Sequence, residues 1–466
     1  QMIGEIPSHF AQRILPSALI YGIIRIFSIP PTVANAALLF GILNIVMLCL
    51  IAYLWCAIAD EIRIRPYGKW LGFFAFFINY AILKEASYIP VILDVSGYAL
   101  GTLLFFFYFK RQSAGIFITM AIELFTWPTV FFQGLPLLFF PRQREIPPPP
   151  AAAETPKPDR RATVAAVLIS AAIWWKLIDL VHQNFYVLIP PFLPAINLSI
   201  IIVGIYLFFA YKSLLAYGPL YESRFYLSPL RSLRTWGYVF LLAGLVIGAK
   251  LAQNTLSHGK SPISSEMIGL FINILFSNSV IYPGVFITAH LVYFGPVLIL
   301  TIFLWKKIVS LIHQYGPGLT LSAAGYILLC LSSESRCLIA IYPFFAIVTV
   351  KAAESLDWQP KHYWLIFVIS ALLSKFWLHI GPLNSFGPPH PSALERPDMY
   401  PAGSSVPLIH FNIDWALTLP GKLFCMNRGP YMSADMYIAQ SAILLLIVFF
   451  LYTRLNFRTN RPADRS

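Results

Sequence analysis

Two charged residues, the carboxylate Glu334 and the guanidinium Arg336, stand at a turn between apolar runs in LSSESRCLIAIYPFF, residues 331–345. A carboxylate can accept a proton from a hydroxyl, and a guanidinium can hold an anion through its fork of donors. At membrane depth such groups are expensive, so they pair, reach for the headgroups or serve a site. The simplest alternative is a local ion pair at a helix end. A second polar concentration lies in residues 380–438, with His390, Glu395, Arg396, Asp398, His410, Asp414 and Arg428. Connections this long are often functional, and His390, Arg396, Asp414 and Arg428 are its site candidates. Neither region carries a G-x-S-x-G, P-loop or H-E-x-x-H motif, and no Ser/His spacing defines a triad. The five cysteines, Cys49, Cys56, Cys330, Cys337 and Cys425, stand singly. Without C-x-x-C or Cys/His spacing, a structural zinc or iron–sulfur site is excluded. No cofactor motif is present, and nothing specifies a divalent metal.

The elements that must position these groups are transmembrane helices. Of 466 residues, 58% are hydrophobic and 11% charged, with a mean hydropathy of +0.70; soluble domains carry about 25% charged residues. The formal charge of +13 reads as basic residues held on the cytoplasmic side, and no nucleic-acid-binding motif accompanies it. Apolar runs predict spans at Val33–Ile58, Trp70–Leu83, Tyr88–Phe109, Ala162–Val181, Phe185–Ala210, Trp236–Lys250 and Gly284–Trp305. Further spans follow at Thr320–Leu331, Cys337–Val350 and His362–His379, and Leu444–Tyr452 lies within the last crossing. The expectation is an all-α, polytopic integral membrane protein of about 11 transmembrane helices plus a broken or re-entrant hairpin. That hairpin is Ser113–Phe140. Basic segments flank it on both sides, and Glu123, Trp127 and Pro128 interrupt it, so two half-spans around a tip fit better than one crossing.

Loop charge then orders the chain. Residues 1–32 form an outer-face amphipathic segment, 33–140 an N-terminal transmembrane half, and 141–161 a Pro-rich cytoplasmic linker stiffened toward polyproline II. Residues 162–379 make a C-terminal transmembrane half whose first two helices meet in an outer turn near His182–Asn184, 380–438 an outer-face loop region, and 439–466 the last helix with a basic cytoplasmic tail. Glu334 and Arg336 fall on the outer face, on the same side as residues 1–32 and 380–438. Counting back from the tail leaves residues 1–32 outside without an anchor, so a further span is expected upstream of Gln1.

Four stretches carry a family resemblance: HFAQRILPSALIYGIIRIF (9–27), INYAILKEASYIPVILDVSGYALGTLLFFFYFKR (78–111), AIELFTWPTVFFQGLPLLFF (121–140) and ESRCLIAIYPFF (334–345). In order and sidedness they resemble the GT-C superfamily of membrane glycosyltransferases, which transfer sugars from polyprenyl-phosphate donors at the outer or lumenal face. The resemblance implies a GT-C-like fold and sets Asp94 at the acidic position that often opens the family's second hairpin helix. The basic-acidic pair of the broken segment is reduced here to Glu123. The family's catalytic acid sits on the first outer loop, often in a D-x-D motif. No D-x-D occurs in this chain, and Glu5 is the carboxylate left in that region.

On this reading the partners are membrane lipid and a polyprenyl-phosphate sugar, in a multi-pass protein of the bacterial inner membrane. Arg336 and Arg13 are the lipid-phosphate-binding candidates, with Glu334 orienting Arg336; Glu5, Asp94 and Glu334 are the catalytic candidates. A non-catalytic GT-C-like scaffold subunit of a larger membrane complex is the alternative, which the missing D-x-D favours. A lipid or solute transporter is the third, because transporters place binding sites at broken helices.

Overall fold

The computed structural model describes residues 13–88, 90–91, 93–142, 160–185, 193–216, 233–256, 279–356, 358–378, 419–425 and 432–455. Among them the protein is all-helical, with no strand. The helices are α1 (Ile14–Ile26), α2 (Val33–Glu61), α3 (Pro66–Phe77), α4 (Asp94–Phe109), α5 (Ser113–Glu123), α6 (Pro128–Phe139), α7 (Arg160–Phe185), α8 (Leu193–Ala216) and α9 (Leu233–Leu256). They continue with α10 (Val285–Phe294), α11 (Val297–Phe303), α12 (Trp305–Tyr315), α13 (Pro317–Leu329), α14 (Tyr342–Ala353), α15 (Pro360–Leu373), α16 (Leu419–Cys425) and α17 (Ala434–Arg454). Four of them, α2, α7, α8 and α17, are long and apolar enough to cross a membrane, or up to five if the bent pair α11–α12 counts as one span. Eight shorter apolar helices of 10–17 residues make up most of the rest.

Proline explains much of this shortness. Pro66, Pro128, Pro317, Pro343 and Pro360 each stand in the first turn of a helix, where the missing N–H removes no internal bond and the fixed φ suits the entry. The interrupted run 113–140 forms α5 and α6, packed against each other around a tip at residues 124–127. The span expected at Gly284–Trp305 is instead broken. Gly295 takes φ +84° ahead of Pro296, ending α10, and α11 meets α12 at 87°. Gly295 tolerates that conformation and Pro296 restarts the chain. Beyond the bend, α12 buries Ile308, Val309 and Ile312, with Lys306 and Lys307 in its first turn. Helix α7 also runs through His182–Asn184 to Phe185, where the sequence predicts a turn.

The core gathers around α4, most of whose side chains are buried. It packs on α2, α5 and α14. The rings of Tyr98 and Phe76 stack at 5.7 Å, and those of Tyr342 and Phe294 at 4.3 Å. The Tyr342 hydroxyl donates to the Ala75 carbonyl at 2.9 Å, so the rings also tie backbone segments together. A Cβ at Gly101 would stand 2.0 Å from the Ala340 carbonyl oxygen. Only glycine lets α4 approach the chain between residues 338 and 342 so closely. Outward faces stay apolar: Trp175, Phe240, Leu446 and Phe449 are all exposed, as side chains facing lipid are. At the end of α4 remote from Asp94, Lys110 pairs with Glu61 at 2.9 Å.

Two glycines separate packing from propensity. Gly101→Ala is expected to destabilise by about 1–3 kcal/mol because a backbone carbonyl must move. Gly237 in α9 has nothing within 4 Å of its virtual Cβ, so Gly237→Ala is expected to be neutral or to stabilise by up to about 1 kcal/mol. Thermal unfolding of the two variants in one detergent checks both.

Candidate functional site

Asp94 opens α4, where the helix dipole favours negative charge. Opposite it, a short 3-10 turn, Ser335–Leu338, presents Arg336. Arg336 Nε donates to Asp94 Oδ2 at 2.7 Å and Nη2 donates to Oδ1 at 2.9 Å, a bidentate pair between residues 242 apart in sequence. The Asp94 side chain is only 5% exposed, and in such surroundings two aligned charge-assisted bonds hold far better than on an open surface. The orienting partner of Arg336 is therefore Asp94. Glu334, expected in that role, acts on it through charge alone.

Glu85 is the second carboxylate on Arg336, with Oε1 3.7 Å from Nε. It reaches this position from a π-helical turn, Ala81–Glu85, whose extra residue turns Lys84 and Glu85 inward. Such wide turns recur at functional sites. The Tyr293 hydroxyl of α10 donates to Glu85 Oε2. Lys84 Nζ donates to the Leu378 carbonyl, Lys375 Nζ to the Leu423 carbonyl at 2.8 Å, and the Tyr80 hydroxyl to the Phe424 carbonyl at 2.5 Å. These bonds moor the end of α15 and helix α16 beside the π-turn.

The 3-10 turn is pinned from behind by His290. Its Nε2 lies 3.0 Å from the Cys330 carbonyl and its Nδ1 3.0 Å from Ser335 Oγ. A carbonyl only accepts, so Nε2 carries the proton, and in the neutral ring Nδ1 accepts from the Ser335 hydroxyl. One ring thus holds both ends of the turn from Cys330 to Ser335, which bears Glu334 and leads directly into Arg336.

Two charged groups of this cluster make no ion pair or side-chain hydrogen bond among the described residues. The carboxylate of Glu334, half-buried in the turn before the 3-10 segment, makes no ion pair or hydrogen bond there. Burial pushes its carboxyl above the usual range, and the Arg336 charge pulls the other way. Arg13 precedes α1, whose Leu15 N–H donates to the Phe125 carbonyl at 3.0 Å and so docks the helix on the α5–α6 tip. Its guanidinium lies 4.4 Å from the Trp127 ring centroid, a cation–π contact that leaves its in-plane donors unused. Arg13 also lies within electrostatic reach of Arg336, Asp94 and Glu334.

Of the sequence-predicted residues, the fold brings together Arg13, Asp94, Glu334 and Arg336. Glu5, His390, Arg396, Asp414 and Arg428 lie outside the described residues. Glu85, Tyr293, His290 and Trp127 complete the cluster. Lys84-Glu85 was visible in the sequence as a charged pair inside an apolar run and reads there as a plain turn. Tyr293 carries no sequence signal at all. Among the described residues no three His, Cys, Asp or Glu side chains gather as metal ligands. The cluster offers one bidentate ion pair, one carboxylate and one guanidinium beside it, which suffice to hold an anion and to move a proton.

Removing one member of the pair should cost more than removing both. Arg336→Ala is expected to destabilise by about 3–5 kcal/mol, since it strands the Asp94 carboxylate. The double variant Asp94→Asn/Arg336→Met should recover a large part of that loss. A double-mutant cycle on unfolding temperature and denaturant midpoint checks the coupling.

Comparison of the chain with protein-family models, with curated proteins and with solved structures finds no match.

Proposed function

We propose that the chain is a GT-C-like membrane glycosyltransferase that moves a sugar from a polyprenyl-phosphate donor to an acceptor at the outer face of a bacterial inner membrane. One observation carries this reading: the Arg13 guanidinium and the Glu334 carboxylate, neither in an ion pair or side-chain hydrogen bond among the described residues, flank the bidentate Asp94–Arg336 pair. In this reading the shorter apolar helices are crossings and half-crossings that bring the count to about 11, with the C-terminus cytoplasmic. The donor's tail lies against their apolar outer surfaces.

The division of labour follows from the contacts. Arg13 takes the lipid phosphate through its free donors, and the charge of Arg336 adds to the local field. Asp94 and Glu85 hold Arg336 in place and so act as positioning residues. Glu334 is the general base. The acceptor hydroxyl oxygen attacks the anomeric carbon, the bond from that carbon to the phosphate oxygen breaks, and the hydroxyl proton passes to Glu334. The lipid phosphate leaves with the bonding electron pair, its added charge met by Arg13.

A scaffold role within a larger membrane complex is the second reading. The bidentate bond from Arg336 to Asp94 favours it, because two of the guanidinium's five donors are already committed to a structural pair.

Turnover of a polyprenyl-phosphate sugar in proteoliposomes separates the two. Glu334→Gln is expected to lower kcat by about 10²–10⁴-fold. A base must be ionised to act, and burial raises the Glu334 carboxyl. Wild-type activity should therefore fall as pH drops through a value above the ordinary carboxylate range, and the residual activity of Glu334→Gln should lack that limb. Undiminished turnover in Glu334→Gln would overturn the assignment of the base. Absence of turnover together with fixed-stoichiometry co-purification in a large assembly would favour the scaffold.

A further inference from the structure

Beneath the tip that carries Trp127, four polar side chains are shut inside the bundle. Glu123 ends α5, Gln133 lies in α6, and Ser322 and Tyr326 lie one turn apart on α13. Their exposures are 0%, 3%, 3% and 2%. Both carboxylate oxygens of Glu123 and both amide atoms of Gln133 lack a hydrogen-bond partner among the described residues, and the Ser322 and Tyr326 hydroxyls have at most each other. The helix registers set these groups level with one another. Gly134 of α6 backs onto Met120 of α5, three residues before Glu123, while Gly318 of α13 backs onto the Pro136 and Phe140 carbonyls of α6. One turn further along antiparallel α13, Ser322 stands at the level of Gln133, and one more turn brings Tyr326 to Glu123, within electrostatic reach of it. The four therefore lie within about one to two helical turns.

Burying this many unmet polar groups costs about 1–3 kcal/mol for each, and a bare carboxylate costs far more. No charged side chain among the described residues acts on Glu123. The donor set indicates what would satisfy it. One carboxylate with neutral amide and hydroxyl oxygens matches a hard ion of single charge, and the lack of Cys or His disfavours softer metals. The close approaches of Gly134 to the Met120 side chain and of Gly318 to the Phe140 and Pro136 carbonyls pack the three helices tightly and favour a small ion. A proton alone would neutralise Glu123 but leave the other oxygens unmet. We propose that Glu123, Gln133, Ser322 and Tyr326 form a binding site for Na+, with Glu123 supplying the charge and the other three supplying neutral oxygen ligands. The Trp127 N–H donates to the Glu123 carbonyl at 2.8 Å. Glu123 thus stands one helical turn before Trp127, the residue on which Arg13 rests.

The test uses the purified full chain in detergent and needs no turnover, so it stands or falls independently of the glycosyltransferase reading. Saturable retention of radioactive 22Na+, displaced by unlabelled Na+ and not by choline, is the expected result, together with a melting temperature that rises with NaCl but not with choline chloride. Glu123→Gln should lower retention at least about tenfold, and Ser322→Ala, which keeps the charge, should weaken it less. Equal melting in the two salts with no saturable retention would overturn the site. So would undiminished retention in Glu123→Gln, or a melting temperature that responds to pH and not to Na+, which would assign the site to a proton.

Discussion

The bidentate bond between Asp94 and Arg336 is the constraint on which the rest of this end of the molecule depends. It ties the first turn of α4 to the segment before α14 across 242 residues of sequence. A largely buried ion pair is stable only when the geometry is good and the remaining lone pairs are met. The protein supplies both conditions. Gly101 lets the two backbones close to contact, His290 pins the 3-10 turn from behind, and Glu85 adds a second carboxylate within 3.7 Å. Because Asp94 absorbs the guanidinium of Arg336, the groups left for chemistry are the neighbours, Arg13 and Glu334.

Short helices are the architectural counterpart of that bond. A helix of 10–14 residues rises about 15–21 Å, less than the hydrocarbon thickness. Its ends therefore fall inside the protein, where turns, tips and wide helical turns can carry polar groups. Arg13 rests on such a tip at Trp127, Glu85 comes from a π-turn, and Glu334 precedes a 3-10 turn. A bundle of uninterrupted spans would have placed these residues in lipid or in the headgroups. The same design accounts for Glu123, whose isolation follows from ending α5 inside the bundle.

Hydropathy made much of this legible. The all-helical class, the break at Glu123–Pro128 and the placement of Glu334 and Arg336 at a turn follow from composition and from charges between apolar runs. The family resemblance pointed to Asp94 and Arg13, and the fold brings both beside Arg336. What pairs with what was not legible, because the partner of Arg336 lies 242 residues away and no local period encodes it. The choice of Glu334 as its partner followed proximity in sequence, and the fold instead selects the residue at a helix N-terminus. Lys84-Glu85 reads as a loop because the sequence carries no signature for one extra residue in a helical turn. Gly295-Pro296 was hidden within an apolar run long enough to pass as one span. The candidates in 380–438 lie outside the described residues, so their relation to the cluster rests on sequence alone.

The central claim is that this end of the bundle holds a lipid phosphate. Binding of radiolabelled polyprenyl phosphate to the full chain in nanodiscs tests it most directly, with Arg13→Ala as the comparison. The account predicts saturable binding that weakens about tenfold or more in Arg13→Ala, with the melting temperature little changed because Arg13 has no hydrogen bond among the described residues to lose. Equal affinity in the two proteins, or no saturable binding in either, would contradict it.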